Sequence, residues 1–242
     1  MRPIPRPILI ATLSLLALGS GARAADLPPA PELPPLQAEP GWTGFYAGLN
    51  VGGALGSSRN AFTIAGFGLP TFSTPLNGVV GGGEAGYNWQ TGPLVLGLEA
   101  SFEGSGLSGA RTAPCLAPLC GGLAARYAQR LSWFGTLRPR IGYALGNWLF
   151  YATGGGVLGQ AGTTATATYG GFTATDNRSQ TRTGWTLGGG VEVEIAGGWS
   201  AKIEYLYIDL GSHATTYLLT PPISNASRFS ASMITAGVNY HF

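Results

Sequence analysis

The 242-residue chain is 45% hydrophobic and only 10% charged, with 40 glycines. It is too apolar to be disordered and too rich in glycine to be helical. Beyond the first two dozen residues no apolar run reaches the roughly 18 residues of a spanning helix, which leaves a soluble β-protein or a closed membrane β-barrel.

In chain order, the N-terminus sets the compartment. Arg2 and Arg6 form a positive region, Ile8 to Leu18 an apolar one, and Ala22-Arg23-Ala24 a small-residue cleavage motif. Residues 1–24 read as a signal peptide cut after Ala24. Cleavage takes Arg2, Arg6 and Arg23 from the 13 basic residues and leaves 10 against 11 acidic ones, a formal charge of −1. The basic isoelectric point therefore gives no reason to expect a nucleic-acid partner. Residues 25–40 follow with six prolines, Pro28, Pro29, Pro31, Pro34, Pro35 and Pro40. They predict an extended periplasmic linker that cannot pair in a sheet, or a merely disordered tail.

From residue 41 onward the chain alternates as a membrane strand does, apolar toward lipid and polar or small toward the lumen. In 42–53, Thr43, Phe45, Ala47, Leu49 and Val51 oppose Gly44, Tyr46, Gly48, Asn50 and Gly52. Segment 78–89 sets Val79, Ala85, Tyr87 and Trp89 against Glu84, Gly86 and Asn88, and 94–104 sets Leu94, Leu96, Leu98 and Phe102 against Glu99, Ser101 and Glu103. In 127–143, Leu131, Trp133, Leu137, Ile141 and Tyr143 oppose Arg130, Ser132, Thr136, Arg138 and Arg140. Segment 148–160 is ambiguous, being apolar or glycine on both parities. In 182–195, Trp185, Leu187, Val191, Val193 and Ile195 oppose Thr186, Glu192 and Glu194; in 199–210, Trp199, Ile203, Tyr205 and Tyr207 oppose Lys202 and Glu204. The last strand, 228–242, sets Ile234, Val238, Tyr240 and Phe242 against Thr235, Asn239 and His241.

These are eight strands, the even number that closes an antiparallel barrel. Short turns at 90–93, 145–147 and 196–198 alternate with long loops at 54–77, 106–125, 161–181 and 211–227, the rhythm of periplasmic turns and outer loops. The second loop carries Cys115 and Cys120, a close pair that in an exported chain favours a disulfide over free thiols or a metal site, since no His, Asp or Glu lies near. Trp42, Trp89, Tyr143, Trp148, Trp199, Tyr240 and Phe242 fall at the strand ends nearest the short turns and termini, as an interfacial aromatic girdle requires.

The run Gly41-Trp42-Thr43-Gly44-Phe45-Tyr46-Ala47-Gly48-Leu49-Asn50-Val51-Gly52-Gly53 resembles the opening strand of the Omp25/Omp31-like outer-membrane barrel family of alphaproteobacteria. Further matches are Gly83-Glu84-Ala85-Gly86-Tyr87-Asn88-Trp89, Leu137-Arg138-Pro139-Arg140-Ile141-Gly142-Tyr143, Tyr151-Ala152-Thr153-Gly154-Gly155-Gly156, and Lys202-Ile203-Glu204-Tyr205-Leu206-Tyr207 with terminal Phe242. The resemblance covers about the whole mature barrel. It implies an outer-membrane location among lipid and lipopolysaccharide, roles in envelope integrity or surface contact, and recognition of Phe242 by the barrel-insertion machinery. Some relatives are described as haem binders or porin-like. Pro139 departs from the family pattern, and its missing N–H predicts a local bulge.

Eight strands leave a lumen that side chains can fill. Parity places Glu84, Glu99, Glu103, Glu192, Glu194 and Glu204 inside with Arg130, Arg138, Arg140, Arg182 and Lys202. Buried charges must pair, so these residues predict either a structural network that closes the pore or a gate that rearranges. Catalysis has one weak candidate, Asp209, Ser212 and His213 near the seventh strand's outer end, which a solvated loop explains better. Haem would have to find its ligand among His213, Tyr169 and Tyr217. Glycine runs 81–83 and 154–156 lie within strands with no lysine following, so no phosphate loop is expected. No cofactor or metal is expected. The reading is a non-enzymatic structural barrel, with a small channel or ligand binder as the alternative and a lipid A-modifying enzyme behind both.

Overall fold

The computed structural model describes residues 41–64, 67–68, 71–114, 124–217 and 223–242. The expected signal peptide and linker and the pair Cys115 and Cys120 lie outside these residues. Every element is a strand: β1 Gly44–Ile64, β2 Phe67–Gly68, β3 Phe72–Thr91, β4 Leu94–Ser105, β5 Ser108–Pro114, β6 Ala124–Leu145, β7 Trp148–Tyr169, β8 Phe172–Ala196, β9 Trp199–Tyr217 and β10 Ile223–His241. All neighbours are antiparallel. β1 pairs with both β3 and β10, which closes the sheet on itself. β4 and β5 act as one stave, because both lie between β3 and β6. The result is a closed eight-stave barrel, with β2 a two-residue return on the end of β1.

The periplasmic turns are tight. Gly197 and Gly198 take φ of 60° and 81°, the pair of positive angles a two-residue turn needs to match strand twist. At the other end Gly170 and Gly171, at 56° and 84°, make the same turn between β7 and β8. The expected loop 161–181 is therefore mostly paired strand, and β1, β3, β9 and β10 likewise run on into segments read as loops. Threonine explains the β7–β8 extension: Thr166 faces Thr175 and Thr168 faces Thr173 across the ladder, with hydroxyls 3.4 and 3.2 Å apart. Such pairs stabilise strands, but with polar groups on both faces they show no lipid-facing alternation.

Apolar side chains cover the outer wall over a limited height. On β1 they run from Phe45 to Leu55. At ~3.3 Å per residue and a tilt of ~40°, that is about 25 Å, the height of the apolar band of such barrels. Trp89, Tyr143, Trp148, Trp199, Tyr240 and Phe242 are all exposed at its lower edge. A second aromatic belt marks the upper edge, with Phe102 stacked on Trp133 at 5.5 Å and Trp185 beside Tyr207 at 5.4 Å.

Two local expectations are corrected. Trp42 is buried and not part of the girdle; its ring lies edge-on to His241 at 5.4 Å, inside the periplasmic opening. Its even parity, shared with Tyr46, is the reason. No bulge forms at Pro139. The β6–β7 register is the same on both sides of it, Leu137 facing Gly156 and Arg140 facing Thr153. The Thr153 hydroxyl donates to the Pro139 carbonyl at 3.0 Å, and Gly154 and Gly155 lie opposite the gap. The β6 bulge falls instead at Ser132, between Leu131 and Trp133.

Candidate functional site

The barrel interior is built in three storeys, and each strand contributes to them in order. On β6, Arg140 and Arg138 come first, then Phe134 and Leu131, then Gln129 and Tyr127, all buried. On β10 the same climb runs from Asn239 and Thr235 through Met233, Ala231 and Phe229 to Ser227 and Asn225. Period-two alternation aims each of these side chains inward.

The lowest storey is a network of charge. Arg138 reaches two carboxylates at once, donating to Glu204 at 2.9 Å and to Glu99. Arg140 lies 3.4 Å from Glu192 and 3.6 Å from Glu99, and its Nε donates to Asn88 at 2.8 Å. Lys202 meets Glu84 at 2.5 Å and Glu99 at 3.5 Å. Neutral side chains complete the coordination. The Tyr46 hydroxyl donates to Glu99 at 2.8 Å, and that of Tyr151 to Glu204 at 2.9 Å. The two rings also flank the Arg140 guanidinium, at 4.4 and 5.2 Å, an arrangement that suits a desolvated cation. Below them Glu192 accepts from Ser200 at 2.5 Å and Asn239 at 2.8 Å, with His241 3.2 Å away.

Each tyrosine lies over a glycine on the neighbouring strand, Tyr46 facing Gly86 and Tyr151 facing Gly190. A side chain at Gly86 would collide with the Tyr46 hydroxyl, and a Cβ at Gly190 would stand 2.7 Å from that of Tyr151. Glycine is therefore what lets these rings lie flat across the wall and reach the arginine.

The network holds fewer members than parity assigns. Arg130 is exposed on the outer wall, because the extra residue Ser132 reverses the facing of everything above it on β6 and turns Leu131 inward in its place. Glu194 is half-buried at the periplasmic rim, its backbone bonded to Asn147, and it joins no ion pair among the described residues. Arg182 is buried far above the others. Glu84, Glu99, Glu192 and Glu204 share Arg138, Arg140 and Lys202. Glu103 has no cation in contact among the described residues and takes its hydrogen bond from Asn50 at 2.9 Å, which also donates to Glu84. Tyr46, Tyr151, Asn50, Asn88, Ser200 and Asn239 are the members that charge-based reading misses. Their inward parity, legible for all except Tyr151 on its ambiguous strand, was the available signal.

The middle storey is apolar, a cluster centred on Leu76, Leu107, Leu131, Phe134, Ile208 and Phe229, all nearly solvent-free. The upper storey is polar again, with Ser58, Asn60, Thr74, Gln129, Asn225 and Ser227 buried at the outer mouth. The weak catalytic set does not assemble. Asp209 accepts from Gly211 N at 2.8 Å and pairs with Arg228 at 2.6 Å, while Ser212 and His213 are exposed. The side chains of Tyr169 and Tyr217 lie outside the described ones. No group of three or more His, Cys, Asp or Glu among the described residues could hold a metal.

Known proteins agree with this architecture. The family model of the outer membrane protein beta-barrel domain matches residues 11–242. The 31 kDa outer-membrane immunogenic protein of Brucella melitensis is 31% identical over 98% of this chain and all of its own length. The 22 kDa outer membrane protein of Rhizobium leguminosarum bv. viciae is 32% identical over 74% of this chain and 69% of its own. Among solved structures, the outer membrane protease OmpT of Escherichia coli superposes with a TM-score of 0.52 at 10% identity, covering 82% of this chain and 97% of that one, a likeness of fold alone. With a closed eight-stave ring, aromatic belts at two heights and full-length relatives of the Omp25/Omp31 kind, the chain belongs to the outer-membrane protein β-barrel family and is located in the outer membrane.

Proposed function

We propose that the protein is a closed structural barrel that supports the envelope and presents its outer end at the cell surface. The observation that carries this reading is the stacking of two unlike fillings in one lumen. A hydrated ion crossing the barrel would have to break the network around Arg138 and then pass an apolar storey in which Leu131, Phe134, Ile208 and Phe229 are all but solvent-free. Either barrier alone could be opened by rotamer changes; the two require opposite chemistry of anything that passes.

The outer wall supplies the partner side of the proposal. Just above the upper aromatic belt, Arg59, Arg126, Arg130 and Arg228 are exposed on the lipid-facing side, and Arg59 stands directly opposite Arg228 across β1 and β10. Like charges placed opposite one another destabilise a sheet, and among the described residues a single carboxylate, Asp209, answers them. Phosphate groups of lipopolysaccharide at that height would neutralise the collar. Phe242, exposed at the end of the chain, is the proposed signal for barrel insertion.

Single-channel conductance of the refolded mature protein in a planar bilayer tests closure, with Arg138→Ala and Phe134→Ala beside it. A silent parent and leaking variants are expected. Stable, discrete openings from the parent would sink the closed-barrel reading and put a porin-like one in its place. Unchanged lipid A mass in cells overproducing the protein is the expected result on the enzymatic side.

A further inference from the structure

Among the described residues, one buried cation of the barrel forms no ion pair. Arg182, on β8 above Trp185 of the upper belt, is only 5% exposed. Its Nη2 donates to the Ser227 hydroxyl at 2.8 Å and its Nη1 to the Ser227 carbonyl at 3.4 Å, while its Nε has no partner. The shortage of acid is a matter of composition as well as geometry. From residue 41 onward the acids are Glu84, Glu99, Glu103, Asp176, Glu192, Glu194, Glu204 and Asp209. The six glutamates belong to the lower storey and its rim, Asp209 is taken by Arg228, and Asp176 pairs with Arg178 at 2.9 Å. Segments 65–66, 69–70, 115–123 and 218–222 contain no acid at all. Asp26, Glu32 and Glu39 precede residue 41 and lie outside the described residues.

A guanidinium stays protonated even where burial pulls its pKa below the ordinary value, as burial does here. Buried and unpaired, it is the costly arrangement that proteins resolve with a partner. Beside it lies a cavity of about 10 Å³, lined by Arg182, Ser227, Asn225, Gln180 and, toward the opening, the half-exposed Arg178. That volume admits about one water-sized atom. The Ser227 hydroxyl, which accepts from Arg182, retains its own proton to donate.

We propose that the outer mouth holds an anion site for a phosphate group, with one oxygen seated in this cavity against the Arg182 Nε and the Ser227 hydroxyl and the rest of the group facing Arg178. The size of the cavity means that a whole tetrahedral ion does not enter, so the phosphate stays at the mouth and its ester side remains accessible. The ligand is thus free phosphate or a phosphorylated surface saccharide. The site is separate from the collar on the outer wall, because Arg178 and Arg182 share the inward parity of β8 whereas Arg130 faces away from the lumen.

The test is titration calorimetry of inorganic phosphate into the refolded mature protein in detergent micelles at constant ionic strength. The parent should bind saturably at one site per chain. Arg182→Gln should weaken binding at least tenfold, and Arg130→Gln should leave it unchanged. Where Arg182→Gln fails to refold, Arg182→Lys, which keeps a charge but has no Nε, should weaken it as well. Non-saturating heats, undiminished binding in both Arg182 variants, or an equal loss in Arg130→Gln would each overturn the site. Glucose 1-phosphate binding more tightly than the inorganic ion assigns the site to a surface saccharide; equal affinity assigns it to free phosphate.

Discussion

The two ends of this barrel carry opposite charge and use it in opposite ways. Toward the periplasm, Glu84, Glu99, Glu103, Glu192, Glu194 and Glu204 stand against Arg138, Arg140 and Lys202, almost all withdrawn from water. Above the apolar storey, Arg59, Arg111, Arg126, Arg130, Arg178, Arg182 and Arg228 stand against Asp176 and Asp209, and most are exposed. From residue 41 onward ten basic residues stand against eight acidic ones, a near balance that conceals a strongly polarised barrel. Buried charge is costly unless it is paired or hydrogen-bonded, so the shared ion pairs of the lower storey tie strands together in a single register. Exposed charge needs no such match and can be left for the surroundings to neutralise.

That contrast can be broken most sharply at Arg138. Arg138→Ala leaves Glu204 without a cation in the interior and takes one of three cations from Glu99, and losing one member of a buried pair costs about 3–5 kcal/mol. The temperature at which the heat-resistant folded band disappears from a gel should fall by far more than for any exposed arginine. An unchanged midpoint would mean that the lower network does not hold the barrel together. Phe134→Ala tests the storey above it. Emptying a fully buried aromatic site costs about 3–5 kcal/mol, at the lower end where neighbours can collapse, and urea unfolding in micelles measures it.

Gly190→Leu sharpens the comparison from the wall inward. A side chain there meets the Ile203 carbonyl at 2.6 Å as well as the Tyr151 hydroxyl at 2.7 Å, so it should strain the wall and separate that ring from Arg140 and Glu204, at a cost of about 1–3 kcal/mol for overpacking. The same change at Gly156, where a Cβ meets no atom within 4 Å, should be nearly neutral; equal losses at both sites would refute the tyrosine-over-glycine argument. Smallest of all is Arg130→Gln. Away from packing and pairing, it should shift stability by no more than about 0.5 kcal/mol. A loss comparable to Arg138→Ala would show that Arg130 faces the lumen after all.

The circular arrangement, the parity of most strands and the lower aromatic belt were legible in the sequence, because lipid on one side and packed side chains on the other impose a two-residue period. The errors share a cause. Parity alone puts Arg130 inside, because Ser132 is small and polar enough to suit either face and an added residue there leaves no trace in the pattern. Nearness to a chain end suggests the girdle for Trp42, although its parity points inward. Tyr151 is hidden in the sequence because Phe150 and Ala152 beside it, and Gly154 to Gly156 beyond, give β7 no contrast between faces. The strand extensions at 161–181 were hidden for a different reason: above the membrane both faces meet polar surroundings, and the alternation that signals a strand disappears while the hydrogen-bond ladder continues.

Those extensions give the barrel a stand-off from the membrane. On β7 the outward apolar residues stop near Leu158, and about eleven paired residues follow before the turn at Gly170. At ~3.3 Å per residue and the same tilt, the hairpin tip is carried about 28 Å beyond the hydrocarbon edge. The thicket of sugars that crowds a bacterial surface shields whatever hugs the bilayer. A rigid β mast of that length needs no flexible loop to clear the innermost of those sugars, so a macromolecule arriving from outside would meet Gly170 and Gly171 long before it reached the wall that anchors them.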